Sequence, residues 1–126
     1  MSAETPMFRQ IHPLHLQDGF ASSLCFRPTE FDAGLFSTYD GSLVSAEESW
    51  AHYTTVWRKS SVGVARISVA DFTSLGLAPR PDPLADCPSH TVVDFTSFNP
   101  KDCRSKSKKL QAASQGYGWQ YRAPHA

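Results

Sequence analysis

The hydrophobic and polar positions follow two periods along the chain, one typical of strands and one typical of helices. Runs rich in β-branched and aromatic residues, bounded by turn-forming residues, predict strands. These runs cover residues 20–26, 35–39, 62–69, 90–95 and 119–121. The second run ends at Asp40-Gly41, a pair that favours a tight turn. Together the runs predict one mixed sheet of four or five strands.

The helical period is clearest after Ser45. Ser45 and Glu48 have the spacing of a capping box, in which each side chain accepts a hydrogen bond from the other residue's backbone N–H. Apolar positions then recur at intervals of four, three and four residues, at Ala46, Trp50, Tyr53 and Trp57. This spacing places them on one helical face. We predict a helix that ends near residues 59–61 and is anchored on the sheet by its aromatic residues.

Two further helices and a proline-rich loop complete the predicted order. Residues 70–75 form one or two helical turns closed by Gly76. A longer helix runs from Pro100, a residue suited to the first helical position, to Gly116. Residues 78–88 contain four prolines and are predicted to form a loop, because proline donates no backbone hydrogen bond.

The length and composition indicate one globular domain. The chain has 126 residues, of which 40% are hydrophobic and 19% charged. Residues 1–8 are predicted to be disordered, which leaves residues 9–126 as a single domain. The expected fold class is α/β (α+β), with two main helices and one short helix packed mostly on one face of the sheet.

The sequence predicts a cytoplasmic protein. No apolar run approaches the roughly 20 residues of a membrane helix. The N-terminus lacks the basic start and the apolar stretch of a signal peptide. Cys25, Cys87 and Cys103 have no C-x-x-C spacing, so reduced thiols are expected.

Charge is distributed unevenly, although the net charge is zero. Residues 1–99 carry 6 Lys/Arg against 11 Asp/Glu, a net charge of −5. Residues 100–126 carry 6 Lys/Arg against 1 acidic residue, a net charge of +5. Five of these cations lie on the last predicted helix and are the candidate binding residues: Lys101, Arg104, Lys106, Lys108 and Lys109. The helix either packs beside the acidic body of its own domain or binds a partner.

Two kinds of partner fit a basic helix. A protein with an acidic surface is the first interpretation. Nucleic acid is the second, because phosphates bind cations and the aromatic residues Tyr117, Trp119 and Tyr121 that follow offer rings for stacking on bases. No membrane partner is expected.

The sequence lacks the motifs of several common enzyme classes. It has no glycine-rich phosphate loop, no dinucleotide fingerprint, no nucleophile elbow and no H-E-x-x-H zinc motif. His12 and His15 do not make a metal site without a third ligand. His52 follows Glu48 by four residues, so the two could pair on one helical face, and a structural pair on a solvated flank is favoured over a catalytic one. We therefore expect no cofactor and no metal.

A few polar residues are candidates for catalysis if the protein is an enzyme: Arg27, Tyr39, His90 and Asp94. His90 and Asp94 point to the same side of a predicted strand, about 13 Å apart by the strand rise, which is too far for direct pairing. Arg27 or Arg66 would have to bridge them. Alternatively, Asp94 lies at the strand end and accepts hydrogen bonds from backbone N–H groups.

The order of Arg27 and Ser37-Thr38 resembles the layout of the ADP-ribosyltransferases. Those enzymes place an Arg on an early strand, a Ser-Thr pair on a later strand and a catalytic Glu downstream. The resemblance implies an enzyme that acts on a nucleotide or a nucleic acid. This chain departs from the pattern at the catalytic residue, since its last glutamate is Glu48.

Two functions therefore remain open at the level of the sequence. The first is a small cytosolic interaction module without catalysis, such as a subunit, adaptor or immunity-type partner of a larger bacterial protein. The second is an atypical nucleotide- or nucleic-acid-directed enzyme. The second gains support if its four candidate residues line one pocket, and the first is favoured if they are scattered.

Overall fold

A six-stranded sheet forms the centre of the protein, and all neighbouring strands in it are antiparallel. The computed structural model describes residues 1–29 and 32–124. In spatial order the strands are β6 (Pro79–Pro81), β7 (His90–Asp94), β4 (Leu35–Asp40), β1 (Pro6–Gln10), β5 (Gly63–Ser68) and β8 (Tyr121–Arg122). A second, two-stranded sheet joins β2 (Leu16–Gln17) to β3 (Phe20–Ala21). The α+β class is as predicted, but the main sheet has six strands rather than four or five and is not mixed.

In the described residues, three α-helices accompany the sheet. They are α1 (Ala46–Ala51), which continues into a π-helical segment (His52–Val56), α2 (Val69–Thr73) and α3 (Pro100–Tyr117). The predicted capping box is confirmed: the Glu48 N–H donates to Ser45 Oγ (3.1 Å) and the Ser45 N–H donates to Glu48 Oε1 (2.9 Å). The pairing of Glu48 with His52 that the spacing allows does not form: the Glu48 carboxylate bonds to the cap, and the ring nitrogens of His52 contact Tyr39 and the Asp86 carbonyl oxygen. Among the described residues, no helix is both long enough and apolar enough to cross a membrane.

The N-terminal segment lies in the middle of the sheet, so the predicted disorder of residues 1–8 does not hold for residues 6–8. β1 pairs with β5 along its whole length and with β4 through Met7 and Phe8. Met7 is completely buried. The sequence did not reveal this strand because its stability comes from partners distant in the chain rather than from a local pattern.

Two other segments differ from the prediction. Residues 20–26 do not form one strand: β3 ends at Ala21, and a 3-10 helix follows at Ser23–Phe26. Within the predicted loop over residues 78–88, Pro79–Pro81 forms the edge strand β6. Proline is tolerated at an edge, where its missing N–H leaves no neighbouring strand unpaired.

Side chains alternate along the strands, so the sheet has two faces. Met7 belongs to the core cluster on one face, and its neighbour Phe8 to the cluster on the other. The α3 face, beneath α2 and α3, buries the largest apolar side chains: Phe26, Phe36, Phe72, Phe95 and Leu110. The α1 face packs against the predicted aromatic stripe of Ala46, Trp50, Tyr53 and Trp57. The stripe is confirmed, but helices cover both faces rather than mostly one.

Candidate functional site

α3 presents basic side chains to solvent. The helix begins at Pro100, and the side chain of Asn99 caps it by accepting the Asp102 N–H (2.8 Å). Its buried residues are Ser107, Leu110 and Ser114, so one large side chain anchors it. Its exposed cations are Lys101, Arg104, Lys108 and Lys109. We call these four residues the basic row. Within residues 1–29 and 32–124, no carboxylate forms an ion pair with any of them.

The basic row concentrates positive potential at the start of the helix. Lys101 and Arg104 lie in the first two turns, where the helix dipole is positive and a cation is unfavourable by about 0.3–1 kcal/mol. Asp102, in the first turn, offsets part of this cost. In the described residues, no ion pair joins α3 to the acidic body of the domain. The alternative that this body neutralises the helix therefore lacks support.

Lys106 differs from the other predicted binding residues. Its Nζ donates to the carbonyl oxygen of Leu75 (2.7 Å) and lies 4.2 Å from the ring centroid of Phe98. The side chain is half-buried. Lys106 therefore holds α3 against the segment that follows α2.

An apolar hollow of about 460 Å³ opens beside the first turns of α3. Its apolar lining consists of Pro28, Phe95, Phe98, Pro100 and Cys103. Arg27 and Arg104 also line it. Nη1 of Arg27 donates to Ser107 Oγ (3.3 Å), which holds this guanidinium beside α3. The hollow therefore combines an apolar wall with cationic groups.

The aromatic residues that follow the basic helix are engaged within the protein. The Tyr117 hydroxyl donates to the Asp71 carboxylate (3.0 Å). The indole N–H of Trp119 donates to the carbonyl oxygen of Gly19 (3.0 Å), and Tyr121 packs in the cluster beneath α1. Tyr117 is 42% exposed, but Cζ of Arg66 lies 4.7 Å from its ring centroid, and Cζ of Arg122 lies 4.7 Å from that of Trp119. Each of the three rings therefore already has a partner within the protein.

A polar cleft of about 630 Å³ opens on the α1 face, where β1 and β4 separate beyond Phe8. Its lining residues are Arg9, Thr29, Asp32, Ser37, Tyr53, Trp57, Lys59 and His90. The Arg9 side chain replaces the lost strand pairing, since Nη1 donates to the Ser37 carbonyl oxygen (2.8 Å) and Nε to that of Cys25 (2.9 Å). Burial lowers the pKa of Arg9 from its usual value, while nearby Tyr53 opposes the shift.

His90 lies in this cleft between two polar partners. Its Nδ1 is 2.9 Å from the Asp82 carbonyl oxygen and 3.2 Å from the Asp82 carboxylate, and its Nε2 is 3.2 Å from Ser37 Oγ. In the ladder between β4 and β7, Tyr39 faces His90 and Ser37 faces Val92. Ser37 and His90 are thus diagonal neighbours on one face, which is why they meet.

A second histidine network lies nearby. His52 Nδ1 is 2.8 Å from the Tyr39 hydroxyl, and His52 Nε2 is 2.9 Å from the carbonyl oxygen of Asp86. Because the Asp86 carbonyl oxygen only accepts, Nε2 carries the ring proton and Nδ1 accepts from the Tyr39 hydroxyl, whose pKa is raised by burial. The Trp57 indole N–H also donates to the Asp86 carboxylate (2.7 Å). These bonds hold the π-helical segment to the sheet and to the loop before β7.

The structure brings two of the four predicted catalytic residues together and leaves two apart. Tyr39 and His90 share the α1 face. Arg27 lies beside α3, and Asp94 lies at the end of β7, where its carboxylate accepts hydrogen bonds from the N–H (2.7 Å) and hydroxyl (2.5 Å) of Thr96. These hydrogen bonds lower the pKa of Asp94. The structure therefore shows the second alternative, in which Asp94 lies at the strand end and accepts hydrogen bonds there.

The layout that resembles the ADP-ribosyltransferases is also not reproduced. Arg27 follows a 3-10 helix rather than lying on a strand. Ser37 and Thr38 point to opposite faces of the sheet, and the Thr38 hydroxyl contacts Thr91 and the sulfur of Met7. Arg27 and Ser37 therefore do not line one cavity.

Sequence reasoning missed Arg9 and Ser37, which line the cleft, and Asp82 beside it. Arg9 lies in β1, which the sequence did not predict, and Asp82 lies in the predicted proline-rich loop. Ser37 was noted only beside Thr38, although it lies on the same side of the predicted strand as Tyr39. Strand alternation is the signal that would have paired Ser37 with the face carrying Tyr39.

Comparisons of this chain with protein-family models, with curated proteins and with solved structures find no match. The two surfaces must therefore be interpreted from their own geometry. In the described part of the chain, no three His, Cys, Asp or Glu side chains are grouped closely enough to hold a metal ion.

Proposed function

We propose that the protein is a small interaction module whose basic row and adjacent hollow bind an acidic segment of a larger partner protein. A subunit, an adaptor or an immunity-type partner would act in this way. The observation that carries the proposal is four exposed cations without ion pairs in the described chain, next to an apolar hollow. Exposed charges steer association, and a hollow of this kind accepts an apolar anchor.

A protein partner fits these surfaces better than nucleic acid does. Stacking on bases needs free rings, but Tyr117, Trp119 and Tyr121 are engaged in internal contacts. The net charge of −5 over residues 1–99 also repels a phosphate backbone. Phosphate binding does not use an apolar hollow, whereas a leucine or phenylalanine side chain in an acidic peptide would fill it.

The alternative of a nucleotide-directed enzyme has less support. It requires Arg27, Tyr39, His90 and Asp94 to act on one substrate. Arg27 lines the hollow on the α3 face, His90 lines the cleft on the α1 face, and Asp94 lines neither. The scattered arrangement favours the interaction module.

Fluorescence anisotropy with a labelled peptide tests the proposal. The probe is a twelve-residue peptide of Asp and Glu with one central Leu, compared with the same peptide carrying Ser at the centre. We expect saturable binding, weaker for the Ser peptide. Lys101→Glu/Arg104→Glu/Lys108→Glu should bind the Leu peptide at least tenfold more weakly, about 1.4 kcal/mol. Its stability should change little, because exposed charges contribute within about 0.5 kcal/mol.

The matched control is Arg58→Glu/Arg80→Glu/Arg122→Glu, which changes the net charge equally at exposed positions away from the basic row. It should retain most of the binding. Equal losses in the two triple variants would mean that the peptide senses only net charge, and the proposal would be wrong. Tighter binding of duplex DNA, with a log–log salt slope near −0.9 per phosphate neutralised, would favour nucleic acid instead.

A further inference from the structure

Ser37 and His90 line the cleft on the α1 face, and Asp82 lies next to the cleft on the other side of the His90 ring, so the three residues form a hydrogen-bonded series. Ser37 Oγ is 3.2 Å from His90 Nε2, and the opposite ring nitrogen is 3.2 Å from Asp82 Oδ2 and 2.9 Å from the Asp82 carbonyl oxygen. The carbonyl oxygen and the carboxylate oxygen of Asp82 only accept hydrogen bonds, so Nδ1 of His90 carries the proton of the neutral ring. Nε2 is then left to accept the Ser37 hydroxyl proton. A general base beside a serine nucleophile requires this tautomer.

The three residues are held in place by their surroundings. The backbone N–H of Asp82 donates to the His90 carbonyl oxygen (2.9 Å), which fixes the two residues to each other. Trp57 meets the His90 ring nearly at right angles, with centroids 6.2 Å apart. Ser37 is on a central strand, and Arg9 binds its carbonyl oxygen. Nucleophile and base are therefore positioned before a substrate arrives.

The second histidine of this face shows why His90 is the reactive one. His52 has the same two kinds of partner, a hydroxyl on Nδ1 and an Asp carbonyl oxygen on Nε2. The hydroxyl that contacts His52 belongs to Tyr39, which is 4% exposed, so no substrate reaches that hydroxyl. The hydroxyl beside His90 belongs to Ser37, which is exposed and lines the cleft.

The lining of the cleft indicates the class of substrate. Two cations, Arg9 and Lys59, line it together with one carboxylate, that of Asp32, which accepts hydrogen bonds from the N–H (2.7 Å) and hydroxyl (2.8 Å) of Thr29. The rings of Tyr53 and Trp57 supply an apolar wall beneath Lys59, with centroids 5.8 and 5.7 Å from its Nζ. A volume of about 630 Å³ suits a small molecule. Arg9 donates to the backbone of Ser37, so its charge lies close to the place where negative charge would develop during attack by Ser37.

We propose that this cleft hydrolyses small carboxylic esters that carry an anionic group. Ser37 Oγ bonds to the acyl carbon as His90 Nε2 takes its proton, and the carbonyl electron pair moves onto oxygen. Return of that pair breaks the ester C–O bond, and His90 protonates the leaving alcohol. Water, deprotonated by His90, then attacks the acyl-serine, releases the acid and restores the hydroxyl. Asp82 is a positioning residue that keeps the His90 tautomer. This activity goes beyond docking and departs from the expectation of a non-catalytic module.

Ester hydrolysis by the full chain tests the proposal. The probes are p-nitrophenyl hemisuccinate, which carries a carboxylate, and the neutral p-nitrophenyl butyrate. We expect turnover above buffer with a higher kcat/KM for the hemisuccinate. Ser37→Ala and His90→Gln should each lower kcat about a thousandfold or to background. Asp82→Asn should lower it less, about tenfold, because the backbone carbonyl oxygen still holds Nδ1. Lys59→Met should reduce the preference for the anionic ester through KM.

Ser97→Ala and His12→Gln are matched controls, since both residues are exposed and lie outside the cleft. Both should keep the activity. A fluorophosphonate probe followed by peptide mass mapping should label Ser37 in the unaltered protein, which does not depend on any variant folding. Absence of hydrolysis and of labelling in the unaltered protein would overturn the proposal. So would activity that survives in Ser37→Ala, or a label on another serine.

Discussion

Under α3 the sheet buries phenylalanines that contact one another, whereas under α1 it packs aromatic residues of which Tyr39, Trp50 and Trp57 form hydrogen bonds through their polar atoms. Phe36 lies 6.2 Å from Phe72 and 5.8 Å from Phe95 by ring centroids. On the other face, Trp50 donates its indole N–H to the Ser61 carbonyl oxygen (2.9 Å), and Trp57 donates to Asp86. Apolar contacts tolerate small shifts, but hydrogen bonds fix positions and directions. The α3 face therefore supplies stability, and the α1 face supplies positioned polar groups.

The largest expected effect is on the free energy of unfolding, which should fall more for a substitution on the α3 face than for one on the α1 face. Phe72→Ala should lower the free energy of unfolding by about 3–5 kcal/mol, because it leaves a cavity in a completely buried cluster. Trp57→Ala should lower it by about 2 kcal/mol, since Trp57 is half-buried and loses one hydrogen bond and its contacts with neighbouring rings.

Urea unfolding followed by circular dichroism measures both values. Phe72→Leu serves as the conservative control and should cost much less than Phe72→Ala. If Trp57→Ala lowered the free energy of unfolding as much as Phe72→Ala, the two faces would contribute equally to stability, and the contrast between them would be wrong.

A smaller effect on the free energy of unfolding should appear at alkaline pH. Cys25 is buried on the α3 face, and burial raises the pKa of its thiol from 9.0 to about 11. Between these values the unfolded chain ionises Cys25 but the folded protein does not. The free energy of unfolding should therefore fall as pH rises from 9 to 11, by about 2–3 kcal/mol from this residue.

Urea unfolding at pH 8, 9.5 and 11 checks this expectation. Burial also raises the pKa values of Tyr39 and Cys87, so the test compares the unaltered protein with Cys25→Ala. The variant should lose less stability over the same range. Equal losses would show that the Cys25 thiol is not as well shielded from solvent as the α3 face requires.

The elements that the sequence predicted are those that depend on local patterns. The aromatic stripe of α1 and its capping box follow from positions within 12 residues of one another, and both are present. β1 was missed because β5 and β4, distant in the chain, stabilise it. β6 was missed because its two prolines predicted a loop, although the edge of a sheet accepts them.

The same distinction applies to the candidate sites. Of the five predicted binding residues, the four of the basic row are exposed, as helical period favours. Lys106 differs because its Nζ donates to the Leu75 carbonyl oxygen, 31 positions away, a contact that helical spacing does not reveal. In the cleft, Ser37 meets His90 only through the register of β4 and β7, and Asp82, directly after β6, is held beside His90 by the bond from its N–H to the His90 carbonyl oxygen. No spacing in the sequence encodes those distances.

The most direct test of the docking surface is a titration of the ¹⁵N-labelled protein with the acidic Leu peptide, followed by amide chemical shifts. The account predicts saturable shifts in the first half of α3 and around the hollow, at residues such as Lys101, Arg104 and Phe98. Amides near Ser37 and His90, on the opposite face, should stay unchanged. Shifts confined to the cleft, or no saturable shifts at all, would contradict the assignment of partner binding to the basic row.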